Sequence, residues 1–397
     1  MSASVPSDTQ AAAGSAAATS ASGASRRTGS PAQPEALTDA VHALQARVRE
    51  GGPMRIQGHG SKHFYGGEPR GEVVSTRALH GVLAYEPSEL YVTAAAGTPL
   101  AELEALLAEQ GQHLAFEPPR FSDGSLGTGT VGGMVAAGLS GPARSHAGAV
   151  RDHVLGLSTI NGRGELLHFG GTVMKNVAGY DVSRLMAGAL GVLGLIVQVT
   201  LKVLPRPVAS ATLRFDLPQD QALMQMNRWG GQPLPISATA WWDGALVVRL
   251  SGAEAAVRSA MQRLGGDLIP PAMADPFWRG LRDHDDEFFI GARRAVQGGA
   301  SMWRISVPAT APAMALHGEQ LIEWGGAQRW VVTPMAPSQL RESIGAVGGH
   351  ATLFRARDKS AGVFSPLSPP LARIHRELKA QFDPDGRFNP GRLYPDL

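Results

Sequence analysis

The sequence predicts an α+β protein in which short strands and single helices alternate irregularly along two domains. Two dipeptides that favour β-hairpin turns, Asn161-Gly162 and Asp243-Gly244, each stand between two apolar, strand-like runs. Glycine and proline, 49 and 28 of 397 residues, exceed the usual share of a globular protein and indicate many tight turns. The 43% of apolar residues supplies an ample core, and the 18% of charged residues excludes a chain that is disordered throughout.

The composition also excludes several classes of function. Lys and Arg exceed Asp and Glu by only two and form no basic stripe, so no nucleic-acid partner is expected. Cysteine is absent, which removes disulfides, thiolate catalysis and any iron–sulfur cluster held by this chain alone, and makes the cytoplasm the simplest location. Because no run of about 20 apolar residues occurs, no transmembrane segment is expected.

The chain divides into four parts. Residues 1–35 are mostly Ser, Ala, Thr, Gly and Gln and predict a disordered tail. Pro205-Arg206-Pro207 marks the main boundary, which gives a first domain over 36–205 and a second, α+β domain over 206–380. Residues 381–397 form a turn-rich tail with two aromatic residues that we expect to be buried.

In the first domain, apolar spacing predicts a helix over 37–48, and strands follow over 54–57 and 89–94. Thr98 and Pro99 have the residue types of an N-cap and first helical position, and predict a helix that continues through Glu109. A hairpin is predicted over 154–160 and 166–169, and a buried strand over 195–203.

In the second domain, a hairpin is predicted over 238–242 and 245–250, and a helix over 253–264. Further strands are predicted over 303–307, 329–333 and 351–355. The four tryptophans on these strands are most simply part of the core: Trp241, Trp242, Trp303 and Trp330.

Two glycine-rich segments, 58–61 and 127–133, are the strongest candidates for a binding site. The second matches the dinucleotide-binding pattern GxGxxG, but loop residues precede it and no long helix follows, so it argues against a Rossmann unit. Both segments offer backbone N–H groups free of side-chain obstruction, which suits a pyrophosphate. The residues alone leave two interpretations open, namely a pair of phosphate-binding loops or a pair of tight turns.

A family resemblance favours the first interpretation. Residues 54–207 resemble the FAD-binding domain of the vanillyl-alcohol oxidase / p-cresol methylhydroxylase type in four ordered segments: 55–66, 89–111, 129–141 and 188–196. Within that family, residues 175–181 (Lys-Asn-Val-Ala-Gly-Tyr-Asp) and the closing Phe-Asn-Pro-Gly-Arg-Leu-Tyr most resemble the FAD-binding subunits of bacterial glycolate oxidase. The resemblance implies a two-lobed FAD-binding domain, an α+β cap domain over 206–380, and a final segment over 381–397 that returns to the flavin.

The resemblance also implies the cofactor-binding residues. On one side of the FAD diphosphate it places Gly58, His59, Gly60 and Ser61, and on the other Gly129, Thr130, Val131, Gly132 and Gly133. It places Ala137, Gly138 and Ser140 near the flavin ring, Ile196 at the adenine, and Asn389 in the closing turn. Relatives that attach FAD covalently have a histidine where this chain has Gly60, so non-covalent FAD is expected.

The catalytic residues are not identified by the sequence. Lys175 and Arg144 could place positive charge near the flavin or a carboxylate substrate, or could be surface cations. No metal is expected, because His350 lacks acidic neighbours and is better explained as a packed core histidine. The acidic cluster over 283–287 is better explained as a solvated helix face than as a set of metal ligands.

The resemblance implies an FAD-dependent oxidoreductase that acts on the CH–OH group of a 2-hydroxy acid within a multi-subunit complex. The expected function is that of the FAD-binding subunit of a glycolate dehydrogenase, which oxidises glycolate to glyoxylate. Its expected partners are a catalytic flavoprotein subunit and an iron–sulfur subunit, with peripheral attachment to the inner membrane through that complex. Two alternatives stay open: a self-sufficient 2-hydroxy acid dehydrogenase, and a scaffolding subunit with inert or absent flavin.

Overall fold

The structure, a computed structural model, describes residues 34–122, 127–172 and 180–397. Its strands up to residue 205 and its strands from residue 209 onward fall into separate sheets. The boundary predicted at 205–206 therefore lies between two sheets, and as a domain limit it stays a prediction. Within the described ranges, no helix is both long and apolar enough to cross a membrane.

The part before residue 206 has two lobes. Its helices are α1 (Pro34–Glu50), α2 (Leu100–Glu109), α3 (Val131–Ala137), α4 (Arg144–Ala147), α5 (Val150–His153) and α6 (Val182–Leu185). Its strands are β1 (Met54–Gln57), β2 (Glu72–Ser75), β3 (Val82–Glu86), β4 (Tyr91–Ala95), β5 (Gln112–His113), β6 (Val154–Ile160), β7 (Leu166–Gly170), β8 (Leu195–Lys202) and β9 (Leu204–Pro205). One lobe contains the parallel pair β1-β2, and the other contains an antiparallel sheet in the order β3-β4-β8-β6-β7.

The part after residue 206 is built on one antiparallel sheet of eight strands. The strands are β10 (Ala209–Asp216), β11 (Ile236–Trp242), β12 (Ala245–Gly252), β13 (Asp267–Ile269), β14 (Ser301–Ser306), β15 (Glu319–Glu323), β16 (Gln328–Thr333) and β17 (His350–Arg355), in the order β13-β10-β12-β11-β15-β16-β14-β17. The helices are α7 (Gln219–Gly230), α8 (Glu254–Leu264), α9 (Pro271–Asp283), α10 (Glu287–Gln297), α11 (Pro337–Gly345) and α12 (Pro369–Phe382). The mixture of helices and strands confirms the predicted α+β class.

The chain returns to the first part after α12. Lys379 is buried at the end of this helix, and its Nζ donates to Asp383 Oδ2 at 2.7 Å, to Val192 O at 2.7 Å and to Phe388 O at 3.0 Å. Phe388 is fully buried and bridges Met54 in parallel. An ion pair that is removed from water needs such additional hydrogen bonds to offset its desolvation. The closing segment is therefore fixed against β1.

Several local predictions are corrected by the structure. The hydroxyl of Thr98 does not cap α2, because it accepts from Gly81 N at 3.0 Å and donates to Gly81 O at 3.1 Å. The hairpin predicted over 154–160 and 166–169 is present, and in its five-residue loop Asn161 Oδ1 accepts from Arg163 N and Glu165 N. His350 is exposed at the start of the edge strand β17, so it is not a packed core histidine.

The tryptophan prediction is only partly correct. Trp303 and Trp330 are buried. Trp241 and Trp242 keep part of their surface in solvent, and each of these two donates its indole N–H to a nearby oxygen.

Among the described residues, no group of three or more His, Asp or Glu side chains is arranged to hold a metal ion.

Candidate functional site

A cleft lies where the loop after β1, the start of α3 and the closing segment meet. We call it the main cleft; it spans about 830 Å³, part of which is open to solvent. None of the described residues that line it carries a carboxylate. They include Arg55, Gln57, Gly58, His59, Gly60, Ser61, Lys62, His63, Thr76, Ala96, Gly129, Thr130, Gly132, Gly133, Ala137, Gly191, Gly194, Ile196, Asn389 and Arg392.

Helix α3 forms one wall of the main cleft and is tied to the end of β4. Thr130 caps it, since Thr130 Oγ1 accepts from Gly133 N at 3.2 Å. Val131 N donates to Thr98 O at 3.0 Å, and Gly132 N donates to Ala96 O at 2.8 Å. These N–H groups are therefore already used within the protein. The short helix confirms that the GxGxxG match is not a Rossmann unit.

A side chain is disfavoured at Gly132 and at Gly129 of this wall for different structural reasons. A Cβ on Gly132 would lie 2.7 Å from the Cβ of Ala96, so Gly132 permits the close packing of α3 on β4. A Cβ on Gly129 would instead lie 3.1 Å from Lys62 Nζ and 3.3 Å from Ser61 Oγ, and the φ angle of Gly129 is +106°. Gly129 therefore marks the place where the two glycine-rich segments face each other.

The opposite wall is the loop over 58–62, which follows β1 directly. Unlike the first turn of α3, the backbone N–H groups of this loop donate to no acceptor among the described residues. Gly60 has a φ of +77°, a conformation that glycine adopts without strain. A row of unused N–H groups at such a turn is a typical anion-binding arrangement. The free backbone donors of the main cleft are thus concentrated on this loop.

Several polar side-chain atoms of the main cleft are buried without a hydrogen-bond partner in the described part of the chain. They are Arg55 Nε, Gln57 Oε1 and His59 Nδ1. A buried polar atom without a partner costs about 1–3 kcal/mol, so a polar ligand that contacts these atoms would recover that cost. The observation fits a ligand that carries both hydrogen-bonding groups and negative charge.

The electrostatics of the main cleft favour an anion. Burial lowers the pKa of Lys62 to about 8, so its ammonium group is mostly charged at neutral pH. Burial, and next the charge of Arg77, lowers the pKa of His59, while burial and Arg55 lower that of His63. Both imidazoles are therefore neutral at pH 7, and the positive charge comes from the lysine and arginine side chains.

The closing segment holds the cleft together. Asn389 Oδ1 accepts from Ile56 N at 2.8 Å, and its Nδ2 donates to Leu190 O at 2.6 Å, so one side chain joins both lobes. The guanidinium of Arg392 donates to the carbonyl groups of His63, Tyr65 and Gly67. Burial lowers the pKa of Arg392 to about 10, which leaves it charged.

The structure brings together most of the predicted cofactor-binding residues. Those that line the main cleft are Gly58, His59, Gly60, Ser61, Gly129, Thr130, Gly132, Gly133, Ala137, Ile196 and Asn389. The other three do not line it. Val131 is fully buried in the core, Gly138 ends α3 with a φ of +63°, and Ser140 Oγ accepts from Val150 N at 3.3 Å.

Of the two weak catalytic candidates, Arg144 does not line the main cleft. The guanidinium of Arg144 lies over the ring of Trp324, 4.6 Å from its centroid, and Arg304 contacts the same ring at 5.2 Å. Lys175 lies outside the described residues. Sequence reasoning missed Arg55, Lys62 and Arg392, although Lys62 directly follows the predicted glycine-rich loop.

Comparison with known proteins identifies the family. The chain is 47% identical over 345 residues to "Glycolate oxidase subunit GlcE" of Escherichia coli K12, an alignment that covers 87% of this chain and 93% of that protein. The chain belongs to the GlcE family of glycolate oxidase subunits. Residues 30–170 match a family model described as an FAD binding domain, so this GlcE-family chain is an FAD-dependent oxidoreductase with FAD as its cofactor.

More distant relatives share parts of the chain. The chain is 31% identical over 143 residues to "Glycolate oxidase subunit GlcD" of Bacillus subtilis 168, which covers 36% of this chain and 29% of that protein. A solved structure titled "alkyldihydroxyacetonephosphate synthase in P212121" has a TM-score of 0.61 at 16% identity and covers 90% of this chain and 76% of that one. At this identity the likeness shows the fold, which together with the matched FAD binding domain agrees with the predicted fold class of the GlcE-family chain.

Proposed function

We propose that the chain is the FAD-binding subunit of a glycolate dehydrogenase complex that oxidises glycolate to glyoxylate. The observation that carries the proposal is the 47% identity over nearly the whole length of a protein named a glycolate oxidase subunit. The main cleft supports it, because its unused N–H groups, its unpartnered polar atoms and its positive charge suit the diphosphate of FAD.

The residues of the main cleft have separate roles in this proposal. The loop over 58–62 provides the backbone donors for the diphosphate, and Lys62 provides the charge. Gly129, Thr130 and Gly133 leave room for the ligand on the opposite wall, while Gly132 acts through the packing of α3. Asn389 and Arg392 position the loop rather than contact the reacting atoms. The flavin-binding domain then spans 36–205, with a cap over 206–380 and a returning segment over 381–397.

FAD is held without a covalent bond in this proposal. The loop residue at the expected attachment position is Gly60, and the neighbouring imidazole of His59 is neutral and partly buried. FAD should therefore be released intact when the protein is denatured by acid.

The oxidation of glycolate removes two electrons and two protons, one proton from the hydroxyl group and the other with the electron pair as a hydride. Bound FAD supplies the acceptor for that hydride. Because the chain has no cysteine, it holds no iron–sulfur cluster through its own thiolates. We therefore propose that the electrons leave to an iron–sulfur subunit, that a second flavoprotein subunit takes part, and that the complex attaches peripherally to the inner membrane.

The test is to express the chain alone and together with the proposed partner subunits. Alone, it should bind FAD but oxidise little or no glycolate with an artificial electron acceptor. Together, the subunits should co-purify and oxidise glycolate. Efficient turnover by the solitary chain would favour a self-sufficient dehydrogenase, and an active complex without flavin in this subunit would favour a scaffolding role.

A further inference from the structure

A second cleft adjoins the main cleft and is lined by both parts of the chain. We call it the basic cleft; it encloses about 1100 Å³, part of it open to solvent. Arg55 and Glu68 contribute from the part before residue 206, and Arg293, Arg355 and Lys359 from the part after it. The lining thus carries four cationic side chains and one carboxylate.

The arginines of the basic cleft have no counter-ion. Neither Arg55, Arg293 nor Arg355 forms an ion pair with any carboxylate in the described ranges. The single acidic residue, Glu68, has a 72% exposed side chain and lies 3.8 Å from Lys359. Lys359 is also occupied by the backbone, since its Nζ donates to Phe64 O at 2.7 Å and to Gly66 O at 3.0 Å. No ion pair therefore offsets the positive charge of the three arginines. The carboxylate of Asp286 is near enough to Arg293 to be influenced by it, since burial raises the pKa of Asp286 and the charge of Arg293 lowers it in part.

The two arginines from the second part are held in place rather than free in solvent. The guanidinium carbon of Arg355 lies 3.3 Å from the centroid of the Phe64 ring, which fixes its plane. Nη1 of Arg293 donates to the carbonyl of His284, which leaves its other N–H groups available. Burial, and next the charge of Arg293, lowers the pKa of Arg355 to about 10, so Arg355 stays charged at neutral pH. Two like charges held together without a counter-ion are unfavourable until an anion binds.

The basic cleft is continuous with the main cleft. Arg55, His63 and Pro69 line both cavities. An anion in the basic cleft would therefore lie directly beside the site of the cofactor. The planar fork of an arginine pairs with a carboxylate through two parallel hydrogen bonds, and two such forks are present.

We propose that Arg293 and Arg355 form a binding site for a small carboxylate in the basic cleft, beside the FAD site. The identification of that carboxylate as a 2-hydroxy acid rests on the proposed function, since such a substrate must bind next to the cofactor. The site itself rests on the cavity and on the unpaired arginines.

The test measures carboxylate binding to the full-length, FAD-containing chain by isothermal titration calorimetry. The probes are glycolate and oxalate, with inorganic phosphate for comparison. Arg355→Met and Arg293→Met should each weaken the binding of both carboxylates by about 10-fold or more, because each removes charge-assisted hydrogen bonds. Arg258→Met is the matched control, since it removes one positive charge from an exposed ion pair with Glu254 on α8. Its affinity for carboxylates should equal that of the wild type.

Folding of each variant is checked by its FAD content and its thermal unfolding. Arg355→Lys keeps the charge and loses the planar fork, so it should show a smaller loss of affinity in a protein that retains FAD. Three results would overturn the proposal. The wild type would bind no carboxylate, or Arg355→Met and Arg293→Met would bind carboxylates as tightly as the wild type, or Arg258→Met would lose as much affinity as these two variants. Phosphate that binds as tightly as oxalate would overturn the assignment to a carboxylate. Failure of the proposed function would give a different result from failure of the carboxylate site. The co-expressed complex would then oxidise no glycolate, although the chain would still bind oxalate.

Discussion

The two glycines of the α3 wall give opposite results when each is changed to alanine. The family resemblance implies that both residues lie at the FAD diphosphate. A Cβ on Gly132 would contact Ala96, however, whereas a Cβ on Gly129 would enter the gap beside Lys62 and Ser61. Gly132→Ala should therefore destabilise the protein without FAD by about 1–3 kcal/mol, the usual cost of overpacking, and should change FAD affinity by less than about 3-fold.

Gly129→Ala should weaken FAD binding strongly. The added methyl group narrows the gap between the two glycine-rich segments and moves the ammonium of Lys62 by a few tenths of an ångström. Loss of one charge-assisted contact of about 1.5–3 kcal/mol to FAD would correspond to about 10- to 150-fold in the dissociation constant. The φ of +106° adds backbone strain, so some stability of the FAD-free protein should also be lost.

Two measurements separate these effects. Urea denaturation of each FAD-free protein gives the free energy of unfolding, and a fluorescence titration with FAD gives the dissociation constant. The reasoning would be refuted if Gly132→Ala weakened FAD binding as much as Gly129→Ala while leaving the FAD-free protein as stable as the wild type.

Three further predictions concern buried charges. Burial raises the pKa of Glu323 from 4.5 to about 7, so its stabilising contribution should be complete below pH 4.5 and should be lost as the pH rises through 7. The unfolding free energy of the wild type, measured against that of Glu323→Gln, should therefore fall by about 3 kcal/mol over that range, and a constant difference would contradict the pKa shift. Lys379→Met leaves Asp383 buried without its partner and should cost about 3–5 kcal/mol in urea denaturation, whereas a loss below about 1 kcal/mol would show that the pair does not anchor the closing segment. Lys62→Met should raise the dissociation constant of FAD by about 10-fold or more in a fluorescence titration, and an unchanged value would remove Lys62 from the site.

Local patterns predicted the elements whose formation depends on neighbouring residues. The strand Met54–Gln57 agrees with its prediction at both ends, and the two-residue turn at Asp243-Gly244 has the positive φ angles that its residue types favour. The helix Glu254–Leu264 ends at Gly265, as expected. In each case the information lies within a few residues of the element.

Elements that depend on distant contacts were missed or misinterpreted. Helix α9 was not predicted; it contains Pro276, a residue type that disfavours a helix interior. The acidic cluster over 283–287 lies at the turn between α9 and α10, and only Asp285 and Glu287 of it are exposed to solvent. Asp283 accepts from Arg120 N at 2.8 Å, His284 is buried in a stack on Phe289, and Asp286 caps α10. Arg282 pairs with Asp283 from the preceding position, but Arg120 lies 163 residues away in the sequence, beyond the reach of any local pattern.

In the candidate site, too, residues with a local sequence pattern were predicted, and residues brought together by distant contacts were not. Glycines were recognised because their positive φ angles and free backbone have a local sequence pattern. The arginines were not recognised, since Arg55, Arg293 and Arg355 meet only after the second part of the chain packs on the first. For Arg144 the sequence left two interpretations open, a charge near the flavin or substrate and a surface cation; in the structure its guanidinium lies over the ring of Trp324.

The visible spectrum of the purified chain, before and after acid precipitation, tests the central claim most directly. The account predicts about one FAD per chain, with the yellow colour and the flavin absorbance recovered in the supernatant after the protein is removed. A chain that neither carries flavin nor takes it up from added FAD would contradict the FAD site. Flavin that stays on the precipitated polypeptide would contradict its non-covalent attachment.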